Sequence, residues 1–409
     1  MSNGLIRFLR TAPVRRLVGL SVVVVVIGAS IVAIASAGNS GPVPPPATRA
    51  EAIHNALTGP AIAGLSADVT FTNHLIDSSA IQGADPLLTG GSGRVWIGQD
   101  GRFRLELQGD QGDPQITSDG THVTVYDPAA NTAYTAALPK QKTDTTEAAA
   151  KQETPPSLAD IQTELDKILQ HVNLTQVDPA NVGGRPAYSI RVTPKHDAGL
   201  LGAAEVAWDS HHGVPLRVAV YAAGSSSPVL ELAMSGISYG AVPDSTFDVT
   251  PPAGTKIVNF DPTSGDNGTS ADKPADQKPV TGVDAVRKAV PFTLKAPDTL
   301  AGLPRHEVRL LDWHGHPAAL VLYGQNLGGI AVIEQQADQA AAKPAAPKGE
   351  GDHTGLSLPT VSINGVTGQE LGTALGTIVR FTRGDVAFTI VGSVPPAAAE
   401  AAARDSGLN

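Results

Sequence analysis

Several places in the chain combine residue types that could do chemistry, and each lacks a partner that the chemistry needs. His314 and His316, in WHGHP, stand one residue apart and could chelate a metal from one face of a strand, but no third ligand follows at a recognisable spacing. His211 and His212 occupy the turn of WDSHHGVPL and have the same shortfall. Ser270 to Lys273, SADK, match the S-x-x-K pattern of an acylating serine, yet they lie in a Gly, Ser, Asp, Lys and Pro segment with no K-T-G partner. Such a linker cannot hold a lysine against a serine. Gly90 to Arg94, GGSGR, has no lysine of the phosphate-loop kind and reads as a strand connection. Asn173 in NLT and Asn267 in NGT match the short N-glycan acceptor pattern, which chance supplies at this length. The chain has no cysteine, so a thiolate site, a disulfide or a lipid-attached cysteine is ruled out. The expectation is a protein that is not an enzyme and holds no metal or cofactor.

What remains is apolar chemistry. Leu65, Val69, Phe71, Val95, Ile97, Phe103, Leu105, Val123, Val125 and Tyr134 fall on one face of a predicted sheet, and Leu158, Ile161, Leu165 and Ile168 on one face of a predicted helix. They could fill an ordinary core, or they could line a cavity that takes up an apolar ligand.

The supporting helices and strands follow from period and punctuation. Thr48 and Glu51 predict a capping box that opens a short helix, TRAEAIHNAL. In LSADVTFTNHLI the residues Leu65, Ala67, Val69 and Phe71 alternate with Ser66, Asp68, Thr70 and Thr72, the period of a half-buried strand. Gln99-Asp100-Gly101 turns the next hairpin, after which Phe103, Leu105 and Leu107 face inward. Residues 139–156 contain no large aliphatic side chain and read as a mobile loop. Ser157 and Asp160 then cap an amphipathic helix, SLADIQTELDKILQHV, which would face the apolar sheet. Strands resume through GAAEVAWDSHHGVPLRVAVYAAG, whose turn is Asp209 to Gly213. Sequential antiparallel strands with helices to one side give an α+β class.

The amino terminus places the protein. Arg7, Arg10, Arg15 and Arg16 precede Leu17–Ala37, 21 residues without a charge. As a helix this stretch spans roughly 31 Å, enough to cross a bilayer, with the arginines held on the cytoplasmic side. The length favours a retained anchor, whereas Ala35-Ser36-Ala37 fits a signal-peptidase site and leaves a secreted form open. Beyond residue 37 the chain has 25 basic against 39 acidic residues, a surface that repels phosphate backbones, so no nucleic-acid partner is expected.

The order of helix, hairpin meander, loop, helix and hairpins, closed by VPDSTFDVTPPAGTKIV, resembles the LolA-like family of periplasmic lipoprotein carriers and its actinobacterial relatives. In that family a strand with a phenylalanine, matched here by Phe247, runs to a proline and a glycine, matched by Pro252 and Gly254, at the end of an unclosed barrel. VAWDSHHGVPLRVAVY looks like the penultimate hairpin of the same family. The resemblance covers about residues 48–260 and implies an antiparallel half-barrel wrapped on helices, with an apolar cavity for acyl chains. A smaller α+β domain after a linker is similar to the two-domain layout of RseB, a regulator of envelope stress.

The expected division is a cytoplasmic stretch 1–16, the apolar segment 17–37, a Pro-rich spacer 38–47, a LolA-like domain 48–260, a linker 261–281 and a small α+β domain 282–409 with an insert at 337–355. The expected partners are a lipid or the acyl chain of a lipoprotein, taken up by a carrier or sensor at the cytoplasmic membrane. An RseB-like regulator that grips an anti-sigma factor or other membrane protein, and a structural envelope protein, are the alternatives.

Overall fold

The computed structural model describes residues 41–76, 86–110, 112–138, 156–196, 199–260, 280–313, 316–337 and 358–408. The cytoplasmic stretch, the apolar segment 17–37, the loop 139–155, the linker 261–279 with SADK and Asn267, His314, and the greater part of the insert lie outside them. The chain forms two compact units, the first ending at Phe260 and the second lying mainly beyond it.

The first unit opens with α1 (Arg49–Thr58), where Thr48 and Glu51 make the expected reciprocal capping box. It continues with β1 (Gly64–Asn73), a single turn α2 (Pro86–Thr89), β2 (Gly90–Gly98), β3 (Phe103–Leu107), β4 (Gln115–Ser118), β5 (His122–Asp127) and β6 (Thr132–Ala137). Then come α3 (Leu158–Ile168), β7 (Val172–Leu174), β8 (Asp178–Val182), β9 (Arg185–Pro194), β10 (Leu201–Asp209), β11 (Pro215–Ala222), β12 (Leu230–Ser238) and β13 (Lys256–Phe260).

All thirteen strands form one curled sheet in the order β13-β6-β5-β4-β3-β2-β1-β12-β11-β10-β9-β7, with β8 also on β9. Among the described residues the two ends of the path do not pair with each other, so the barrel is unclosed. Strand β1 is the hinge of the topology: it pairs with its neighbour β2 and, antiparallel, with the distant β12. The unit is mostly β, with fewer helical residues than an α+β reading expects.

One expected strand is displaced. The segment carrying Phe247 is a 3₁₀ turn at Asp244–Thr246, and the strand comes only after Gly254, as β13, which runs parallel to β6. Pro243, Pro251 and Pro252 explain the shift, because each removes a backbone donor that a ladder would use. Phe247 is instead buried as an anchor, with the Arg102 guanidinium 5.0 Å from its ring centre.

The second unit contains α4 (Val283–Ala289), β14 (Thr299–Leu300), β15 (Leu303–Trp313), β16 (His316–Tyr323), β17 (Ile330–Gln336), β18 (Thr360–Ile363), β19 (Val366–Thr373), β20 (Gly376–Arg383), β21 (Val386–Gly392) and α5 (Pro396–Ala403). Its eight strands are ordered β14-β15-β16-β17-β21-β20-β19-β18. Val321, Tyr323, Val332, Val379, Phe388 and Ile390 are among the strand residues of a separate core, closed by Ala399, Ala402 and Ala403 of α5. Small alanines let the helix backbone lie close to the strands.

Candidate functional site

The register of the first sheet places the apolar side chains in rows. Residues paired across strands share a face, so Ala67, Val95, Leu105, Ile116, Val125, Tyr134 and Val258 form one continuous apolar row across seven strands. A second row runs Leu65, Ile97, Phe103, Ser118, Val123 and Ala136.

Burial changes along these rows. At β1 to β3 the side chains are enclosed: Leu65, Val69, Phe71, Val95, Phe103 and Leu105 are all buried, and Ile97 is half-buried against the same cluster. Ile62, Leu87, Leu216 and Ile237 complete that packing, so this part of the sheet face is a filled core. Toward β6 the cover given by the described residues ends. Ile116, Val123, Val125 and Val258 are half-buried, and Tyr134 is 46% exposed. The apolar face thus passes from a dry core to an open shelf at the β13 end of the sheet.

The helix residues belong elsewhere. Ile161 and Leu165 pack with Ala50, Ile53 and Leu57 of α1, and Leu158 and Ile168 are exposed. This corrects the expectation that α3 faces the apolar wall. It is α1 that lies on the sheet, where Ala52 and Ala56 meet Tyr188, Ile190 and Trp208 of β9 and β10. The small faces of α1 fit that position, while the larger Ile and Leu of α3 need the far side of α1 to bury at all.

The opposite face of the sheet is polar. Trp96 and Arg104 stack at 5.5 Å, and Thr124 and Thr135 share a hydrogen bond of 3.1 Å across β5 and β6. A depression of about 570 Å³ over β1 and β2 is lined by Asp68, Thr70, Ser92, Arg94, Gln108 and Ser235. These polar walls make it unsuited to an acyl chain.

Two polar clusters went unread in the sequence. Asp209, buried at the β10–β11 turn, accepts hydrogen bonds from the backbone N–H groups of His211 and His212 (both 2.8 Å) and from the Tyr239 hydroxyl (2.7 Å). Burial acts to raise its pKa, but these bonds prevail and hold the carboxyl below the usual range. Burial and the Asp209 carboxylate push the Tyr239 phenol upward. The histidine pair is therefore turn structure: His212 lies against the Tyr239 ring at 4.3 Å. Among the described residues no group of three His, Asp or Glu side chains could hold a metal ion. On the polar face, Arg217 bridges Glu205 and the buried Glu231, and Arg191 stands 3.8 Å over the Tyr221 ring. Ile116 and Val258 of the shelf were also missed, although strand alternation around the candidate residues carries the signal for both.

The first unit is thus an unclosed, curled sheet, antiparallel except for β13, with an apolar inner face. Residues 67–261 match a family described as a predicted periplasmic protein (DUF2092), in accord with an extracytoplasmic bulk. No curated protein sequence matches the chain. Among solved structures, the MucA/MucB complex of Pseudomonas aeruginosa is similar over 87% of this chain and 94% of that one, at 16% identity and a TM-score of 0.39. An uncharacterized conserved protein from Thermus thermophilus covers 51% of this chain and 98% of its own, at 11% identity and TM-score 0.31. A domain described as an outer membrane lipoprotein-sorting protein, from Vibrio parahaemolyticus, covers 45% and 88%, at 8% identity and TM-score 0.14. Among the described residues no helix is long and apolar enough to cross a membrane.

Proposed function

We propose that the chain is a non-enzymatic, extracytoplasmic binder of acyl chains, carried by a lipid or an acylated lipoprotein, and that the apolar segment 17–37 holds it at the cytoplasmic membrane. The observation that carries this reading is the open shelf. Its apolar row continues that of a filled core, yet the two segments that follow β6 and β13 in the chain, 139–155 and 261–279, contain no large aliphatic or aromatic residue. Burying ten methylenes there would contribute on the order of 8 kcal/mol before ordering costs.

The test is titration of the exported region, residues 38–409, with a fluorescent long-chain fatty acid. Val125→Asp should weaken binding at least tenfold with an unchanged far-UV spectrum. Equal affinity in a folded V125D protein would overturn the assignment of the shelf.

A second reading is favoured by the separate β unit beyond Phe260, which has its own core. The solved complex in which MucB is bound to MucA makes partner capture the natural role to try for that unit, here of an anti-sigma factor or other membrane protein. Deleting residues 261–409 should then spare fatty-acid binding and abolish retention of the partner in a pull-down from the envelope. Retention by the truncated chain would contradict it.

A further inference from the structure

The second unit buries a carboxyl group that nothing above employs. Glu334 of β17 is fully buried at the edge of the core. Its Oε2 accepts a hydrogen bond of 2.7 Å from the Lys295 backbone N–H, while among the described residues Oε1 has no hydrogen-bond partner, and neither has the buried Tyr323 hydroxyl. Across the sheet Glu334 pairs with Ala319 and Phe388, neither of which can neutralise it. The titratable and charged groups around this corner are Lys295 and Asp298 on the segment 291–298, Tyr323 on β16, Arg305 on β15 and Asp405 after α5.

Segment 291–298, PFTLKAPD, joins α4 to β14 without regular structure, with a proline near each end. It works as a strap: Phe292 and Leu294 are buried in the core and Ala296 packs against it. Its far end is pinned by Arg305, which donates to the Ala296 carbonyl and pairs with Asp298 at 2.8 Å. Its middle is held by the Lys295 N–H on Glu334.

We propose that Glu334 makes this strap a proton-gated latch, closed while the carboxyl is neutral and released when it ionises, exposing the apolar core beneath Phe292 and Leu294. An ionised carboxylate with one hydrogen bond is costly in an apolar site, and lifting the strap is the shortest route to hydrate it. Burial raises the Glu334 pKa to about 8, with the Lys295 N–H and ammonium opposing the shift, against an ordinary value of 4.5 in the opened state. The closed form therefore binds the extra proton between these two values, and opening grows more favourable as pH rises through that window.

Hydrogen exchange of the full chain, read by mass spectrometry on peptides covering 291–305 and corrected for the intrinsic pH dependence of exchange, tests this. Between pH 5 and pH 8 protection of the strap should fall by roughly a few hundredfold. In Glu334→Gln it should stay flat. The same fall in E334Q would overturn the proposal. Should E334Q fail to fold, the native profile decides alone: constant protection, or a fall that levels off below pH 6, contradicts the latch.

Discussion

Leu105 and Val125 lie on the same row of the same sheet, yet their fates on substitution should diverge. Leu105 is 3% exposed in a packed cluster, so Leu105→Asp would bury an unpaired charge and cost more than ~4 kcal/mol, read as loss of the folded protein in chemical denaturation. Val125 is half-buried at the open end, and V125D should leave the fold intact while removing ligand. Gly213 shows a different constraint. It has φ +67°, and a Cβ there would fall 2.1 Å from the Ala56 carbonyl oxygen at the end of α1. Gly213→Ala should therefore destabilise the first unit by more than ~1 kcal/mol in urea denaturation. Near-native stability in G213A would mean that α1 does not press on this turn.

At the scale of elements, α3 is held through α1, burying only Ile161, Glu164 and Leu165. Ser157→Ala removes its capping box, and the expected loss of about 1 kcal/mol should appear as increased exchange confined to α3. A loss spread through the sheet would show instead that α3 is part of the main core. Both capping boxes and the inward alternation of β3 were legible in the sequence, because each depends on residues within four positions of one another. What was not legible depended on distance. The pairing of β1 with β12, the parallel seat of β13 on β6 and the choice of α1 over α3 as the sheet-facing helix join residues a hundred or more positions apart or compare two helices of similar pattern. The candidate residues of β1 to β6 share one face, as alternation within each strand predicts, and only the register divides that face into filled core and open shelf. The turn bonds of Asp209 to His211 and His212 are local, but its Tyr239 partner and the buried setting of Glu334 come from other elements and had no local signal.

For the whole molecule, the two units should respond to pH with opposite sign. In the first, Asp209 has a folded pKa below its ordinary 3.8, so its contribution is complete above that value and is lost as pH falls through the depressed one. In the second, Glu334 is raised, so stability is greatest below 4.5 and declines as pH climbs toward about 8. Acid should thus destabilise the first unit and mild alkali loosen the second, which denaturation monitored by exchange in each unit would resolve. A common pH profile for both would count against at least one of these groups. The central claim is that the uncovered apolar shelf exists to hold an acyl chain. It is tested most directly by organic extraction and mass spectrometry of residues 38–409 produced in their own envelope, beside the V125D variant. The account predicts close to one acyl lipid per native chain and its loss from the folded variant. A folded native protein free of lipid, or equal loading of both, would contradict it.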